Sequence, residues 1–212
     1  MQKITIKYLP GFSETSDINE ISTLLNTVEK HKLEFTPWTG YQYKPSVLFS
    51  ISYSPYSILL KFFVEEKQIR AINHTVNSSI WEDSCVEFFI SFDDGINYYN
   101  IEFNCIGTGL IGYGKSKIHR KLLDASIVNK VKTLSNVYSE KGKNISWELA
   151  LIIPLSVFEH TNLSVLAKRK CRANFYKCGD LLLEPHFVSW SNIKSETPDF
   201  HLPDYFGHLQ FE

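Results

Sequence analysis

Ser79-Ile-Trp-Glu-Asp-Ser-Cys-Val-Glu-Phe-Phe-Ile90 is the stretch from which the fold is read. Its second half alternates as an extended strand does. Val86, Phe88 and Ile90 fall on one face, and Cys85, Glu87, Phe89 and Ser91 on the other. The first set reads as a core stripe. The second puts a carboxylate on the opposite face, six residues after the indole of Trp81.

The same period of two recurs on both sides of this stretch. Residues 3–8 alternate as a strand. Residues 48–53 and 58–65 read as a hairpin turning at Ser54-Pro55-Tyr56, and residues 86–92 and 98–105 as a second turning at Asp93-Asp94-Gly95. Further strands are expected at 110–114, 146–153, 170–178, 187–190 and 207–211, with a helical turn at 155–158. Residues 17–31 carry the one helical pattern. Asp17 stands at its N-cap, and Ile18, Ile21, Leu24, Leu25 and Val28 share a face. Residues 115–132 are basic and mixed, and read as a loop with a short strand or helix near 127–131. The expected fold is all-β: a two-sheet antiparallel β-sandwich, immunoglobulin-like or jelly-roll-like, with one short N-terminal helix. No repeat, linker or composition break divides the chain, so one domain is expected over residues 1–212, with an N-terminal extension over about 1–39.

Composition narrows the function classes. With 22 basic and 23 acidic residues the net charge is −1, so no field is present to hold a polyanion, and nucleic acid is not expected as a partner. No apolar run is long enough to span a bilayer. The first residues hold no apolar signal core. Met1 as the native start implies a cytoplasmic protein, and removal of a signal peptide implies a secreted or periplasmic one. The four cysteines, Cys85, Cys105, Cys171 and Cys178, form no C-x-x-C pair and sit in apolar runs as small hydrophobes. Aromatics make up 14% of the chain; much of that is expected in the core, and exposed aromatics are also what sugar-binding surfaces use.

Three strands carry polar residues at alternate positions. The first gives Glu87; the second Asn100, Glu102 and Asn104; the third Arg172, Asn174 and Tyr176. If these strands neighbour one another, one sheet face holds carboxylates that accept, a guanidinium that donates in a fork, and amides that do both. With an indole beside it, that inventory suits the apolar face and vicinal hydroxyls of a sugar ring. The plainer alternative is a solvated outer face. Residues 184–208 gather His186, Trp190, Asp199, His201 and Asp204 among three prolines, at spacings that match no metal template, and a structural role is expected for them. Asp93 and Asp94 lack the ligand spacing of a calcium loop. No metal, no cofactor and no catalytic residue is expected.

With these residues assembled, the chain resembles the carbohydrate-binding module family 9-like proteins of the DOMON-like β-sandwich group. The resemblance rests on Trp81-Glu-Asp-Ser-Cys-Val-Glu-Phe-Phe-Ile, Tyr99-Asn-Ile-Glu-Phe-Asn-Cys-Ile-Gly, Trp147 to Pro154, Asn174-Phe-Tyr-Lys-Cys-Gly-Asp, His186-Phe-Val-Ser-Trp and Pro198-Asp-Phe-His-Leu-Pro-Asp-Tyr-Phe-Gly. It spans roughly residues 40–212. It implies a two-sheet sandwich that binds sugars without chemistry, in polysaccharide or oligosaccharide catabolism. It also implies two tryptophans clamping the ring: Trp81 by its motif and Trp190 by its order. Glu87, Glu102, Asn104, Arg172 and Asn174 are then expected to read the hydroxyls of a mono- or oligosaccharide or a polysaccharide chain end. The runner-up reading is a glycoside hydrolase using Glu87 and Glu102 as its carboxylate pair. Haem binding, known in other DOMON relatives, has no axial methionine here beyond Met1, while the seven histidines leave histidine ligation open. A partner-binding scaffold would use the same exposed aromatics.

Overall fold

Seven consecutive residues of the decisive stretch, Cys85–Ser91, form one strand, and all seven are buried. A strand buried on both faces must lie inside a layered structure. The computed structural model describes residues 2–12 and 16–212; Met1 lies outside them. The strands are β1 (Lys3–Tyr8), β2 (His31–Lys32), β3 (Ser46–Tyr53), β4 (Ser57–Glu66), β5 (Cys85–Ser91), β6 (Tyr98–Asn104), β7 (Gly109–Gly114), β8 (Arg120–Leu122), β9 (Lys132–Tyr138), β10 (Ile145–Pro154), β11 (Lys170–Cys178), β12 (Phe187–Ser189) and β13 (Gly207–Phe211). Two helices accompany them, α1 (Ile18–Leu25) and α2 (Ala125–Val128).

The chain is mostly β, as expected, but the strands form one continuous path instead of two separate sheets. Its order is β8-β7-β6-β5-β11-β13-β1-β3-β4-β10-β9, with β12 on β11 and β2 on β3. Nor is the sheet wholly antiparallel. β1 pairs in parallel with β13 through Lys3–Ile6, then in parallel with β3 through Lys7 and Tyr8. By changing partner midway it joins the two halves, so the sheet curls over on itself. Pairings this distant in sequence leave no local pattern, which is why alternation alone implied separate sheets. A second helix is also present, and α1 ends at Leu25, short of residue 31. Asp17 caps α1 by accepting from the Asn19 amide at 3.0 Å. Thr27 then turns the chain by bonding back to the Leu24 carbonyl.

The main core lies between the two halves. Val86, Phe88 and Ile90 of β5, with Phe175 of β11, meet Phe49 of β3 and Phe62 of β4. Phe175 stacks on Phe49 at 3.8 Å between ring centroids and on Phe88 at 4.9 Å. Each such ring contributes about 1.5–3 kcal/mol by leaving water. On the outer side of the second half, Ile21 and Leu25 of α1 cover Leu59 and Ile152.

The outer side of the first half is also covered, which positions the site. Cys85, Phe89, Tyr98 and Tyr176 pack there under Trp38, Ile193, Phe200 and Phe206. Antiparallel sheets often leave one face to solvent. Here residues 193–206 lie over that face, so side chains that alternation assigns to the outside of β5, β6 and β11 are enclosed.

One ionic group crosses the core. Lys177 lies 3.0 Å from Glu66, both fully buried. Lys177 also donates to the Cys178 carbonyl and to Nε2 of His186, each at 2.8 Å. His186 therefore accepts on Nε2 and donates from Nδ1 to the Glu184 carbonyl at 3.0 Å, the pattern of a neutral ring. Burial, then the Lys177 charge, pushes its pKa down to about 3. A histidine depressed in the fold takes up fewer protons than the unfolded chain between its ordinary pKa and the lowered one. It costs stability as pH falls through that window. The H186Q variant, measured by urea unfolding from pH 6.5 to pH 3, is expected to lose less stability than the parent, by up to about 1.4 kcal/mol per pH unit. Equal acid limbs in the two proteins would contradict this.

Candidate functional site

Glu87 of β5 stands directly opposite Glu102 of β6 and, on its other side, opposite Tyr176 of β11. The adjacency that the polar-face reading required is therefore present for these strands. Just before β5, Ile80–Glu82 forms a short 3₁₀ turn that sets Trp81 at the strand's entrance, half-buried. The Trp81 carbonyl accepts from the Asp180 amide at 3.1 Å, tying the turn to the end of β11. Trp81, Glu87 and Glu102 line a cavity of about 300 Å³, walled further by Lys117, Arg120, Cys178, Asp180, Phe187 and the segment Pro198–His201.

The floor is acidic and buried. Glu87 and Glu102 are only 3% and 2% exposed. Asn100 donates to Oε1 of Glu102 at 2.7 Å, and Arg120 reaches the same oxygen at 3.3 Å. The other oxygen of Glu102 has no hydrogen-bond partner among the described residues. Burial raises the Glu102 carboxyl to about 7, against the opposing pull of Arg120. Burial, then the charge of Glu102, holds Glu87 well above the usual carboxylate range. Its Oε1 accepts from the Cys178 thiol at 3.0 Å. Asp180 is raised to about 6, again chiefly by burial.

One wall is a relay of neutral and cationic groups. Arg120 donates to Nε2 of His201 at 3.0 Å, so the ring proton sits on Nδ1, which faces the Tyr98 oxygen at 2.9 Å. Burial, then Arg120, pushes His201 down to about 3, keeping it neutral. Arg120 reaches the floor because Gly112 lies beneath it; a Cβ there would stand 2.5 Å from the Asn100 side-chain oxygen and 3.2 Å from Cδ of Arg120. Tyr176 fixes the Pro198–His201 segment from below. Its hydroxyl donates to the Phe200 carbonyl at 3.1 Å, and the two rings stack at 4.1 Å.

The model of carbohydrate-binding family 9 matches residues 19–211. The chain belongs to that family. This family 9 chain is similar over its whole length to the crystal structure of a proposed carbohydrate-binding protein from Bacteroides uniformis ATCC 8492, with 37% identity, 99% of that chain covered and a TM-score of 0.92. It shares its fold with a family 9 module from Caldicellulosiruptor kristjanssonii solved with glucose (12% identity, TM-score 0.62, covering all of this chain and 96% of that one). A second structure of such a module from that organism, solved with cellotriose, gives 11% identity and a TM-score of 0.64, with 94% of that chain covered. No curated protein matches the chain.

Of the seven residues singled out from the sequence, the cavity gathers three: Trp81, Glu87 and Glu102. The other four lie elsewhere. Trp190 is 4% exposed and sits in the main core, edge-on to Phe175 at 5.6 Å and to Phe49 at 6.3 Å. The reason is register. Phe187 and Ser189 of β12 pair with Cys178 and Tyr176, on the outer face, so Val188 and Trp190 turn inward. The β12 aromatic on the cavity side is Phe187. Asn104 organises a loop instead, bonding Asp83, the Asn73 carbonyl and the Thr108 amide. Asn174 holds the Ser191 backbone from both sides, at 3.1 and 2.8 Å. Arg172 donates to the carbonyls of Asp204 and Phe206. Arg120, Asp180 and His201 were not picked out as site residues from the sequence. The family 9 motif segments ending at Asp180 and running from Pro198 already contained two of them.

Proposed function

We propose that the cavity is a sugar-binding site, that the protein binds carbohydrate without transforming it, and that one ring of a mono- or oligosaccharide enters the cavity. The observation that carries this reading is the half-buried face of Trp81 in one cavity with a buried carboxylate, Glu102, whose Oε2 has no hydrogen-bond partner among the described residues. An aromatic face takes the C–H side of a pyranose, and an unpartnered carboxylate oxygen takes its hydroxyls. Arg120 and Lys117 supply donors for the ring's acceptor oxygens. A volume of about 300 Å³ stands at the small end of ligand cavities, which fits a chain end or a short sugar better than a long internal stretch. Phe187 and Phe200 stand where a second aromatic wall is needed, in place of Trp190. Relatives solved with glucose and cellotriose make these two sugars the first to try. A role in polysaccharide or oligosaccharide catabolism is consistent with that choice.

Calorimetric titration with glucose, cellotriose and a wider sugar panel tests the proposal. Saturable binding of one sugar is expected, in the micromolar to millimolar range. Trp81→Ala is expected to weaken it at least about tenfold, since an aromatic contact contributes roughly 1 kcal/mol beyond the area it buries. Unchanged affinity in W81A would sink the assignment. Steady hydrolysis of an oligosaccharide, lost in Glu102→Gln, would instead favour the carboxylate-pair enzyme.

A further inference from the structure

Beneath the sugar-sized cavity lies a group of side chains that hydroxyl recognition does not use. Cys85 of β5 and Cys178 of β11 stand directly opposite one another, and Glu87 follows two residues on along the same face. All three are buried, and one donor atom from each lies within 4.8 Å of the other two. Glu87 and Cys178 both line the cavity, so the group is reached from that side.

We propose that Cys85, Cys178 and Glu87 form a binding site for a thiophilic divalent cation of the zinc class at the cavity floor. Two thiolates and one carboxylate are a donor set that zinc accepts, with a fourth position left to water or to a ligand oxygen. Zinc–sulfur bonds of about 2.3 Å place neighbouring donors of a tetrahedron ~3.8 Å apart, so the pairs here, all within 4.8 Å, need to shift by about 1 Å or less, the Cys178–Glu87 pair by opening from 3.0 Å. A disulfide explains the group less well. Directly opposed strand residues hold their Cβ atoms ~4.5–5.5 Å apart, mostly wider than the ~3.5–4.5 Å that a disulfide takes, and a disulfide has no use for the Glu87 oxygen at 3.0 Å from Cys178. A second observation points the same way. Glu102, paired across the strands with Glu87, leaves its Oε2 buried and without a hydrogen-bond partner among the described residues, so the floor beside the group holds an acceptor to which a metal-bound water would donate. On binding, two S–H bonds give way to two metal–sulfur bonds and the Glu87 carboxyl, giving up its own proton, to a metal–oxygen bond; the protons leave to solvent.

Cobalt(II) titration of the chelator-treated, reduced, full-length chain, with no sugar present, tests this separately from the sugar reading. One cobalt per chain is expected, with tetrahedral visible bands and a sulfur-to-cobalt charge-transfer band, all displaced by zinc. C178S and C85S are expected to lose the charge-transfer band or halve it. C171S, which removes a buried thiol outside the group, is expected to keep it. Circular dichroism of each variant reports whether it has folded. A folded parent chain without a thiolate band would overturn the proposal, and so would a band unchanged in folded C85S and C178S. If neither variant folds, the parent spectrum decides.

Discussion

Trp190→Ala is expected to destabilise the protein by about 3–5 kcal/mol, the cost of removing a fully packed indole from a core. The ring lies between the two halves of the sheet, edge-on to Phe49 and Phe175, and it borders the backbone of Gly207, where a Cβ would fall 2.4 Å from the indole. The surrounding rings cannot collapse into the space without unstacking Phe49 from Phe175. The more conservative Trp190→Phe is expected to cost less and to leave sugar affinity within about twofold, because no atom of Trp190 lines the cavity. Urea unfolding and calorimetry on the two variants check both halves of this expectation. A tenfold loss of affinity in a well-folded W190F would restore Trp190 to the site.

A loss of similar size is expected from Lys177→Met. Lys177 and Glu66 are each fully buried, and once the lysine is gone the Glu66 carboxylate keeps, among the described residues, the Trp147 indole N–H at 2.7 Å and the neutral His186 ring at 3.7 Å, neither of which carries a positive charge. The 3.0 Å contact between the pair is off hydrogen-bond alignment, so the attraction is mainly Coulombic. Removing one partner of a buried ion pair typically costs about 3–5 kcal/mol, because the other charge is stranded. Replacing both is far milder, and the double variant K177M/E66L is expected to recover most of the loss. Equal stability of the single and double variants would show that the lysine acts through packing alone.

Much of the strand layout was legible in the sequence. Alternation placed β11 at Lys170–Cys178 and β13 at Gly207–Phe211, with the same limits as the structure. Both strands alternate strongly because their two faces meet different surroundings. β9 at Lys132–Tyr138 was not foreseen. It is an edge strand, partly exposed along its length, and its polar sequence carries no core stripe.

The lining of the candidate cavity was only partly legible, for a geometric reason. A period of two assigns a residue to a face and says nothing of its place along the strand. Arg172 pairs with Ser91, four residues from Glu87, and at about 3.3 Å per residue that is ~13 Å away. The polar residues of one face were thus spread over a loop clamp, a strand end and a cavity. Arg120, Asp180 and His201 come from a three-residue edge strand and two loops, where no periodicity exists to mark them. The facing cysteines were beyond reach, because residues 93 apart in sequence meet only through the β5–β11 register.

In a crystal soaked with cellotriose, density is expected for one terminal sugar ring lying flat on Trp81, with hydroxyls within hydrogen-bond distance of Glu102 Oε2 and of Arg120. Sugar density on any other surface, with the Trp81 cavity left free, would contradict this assignment.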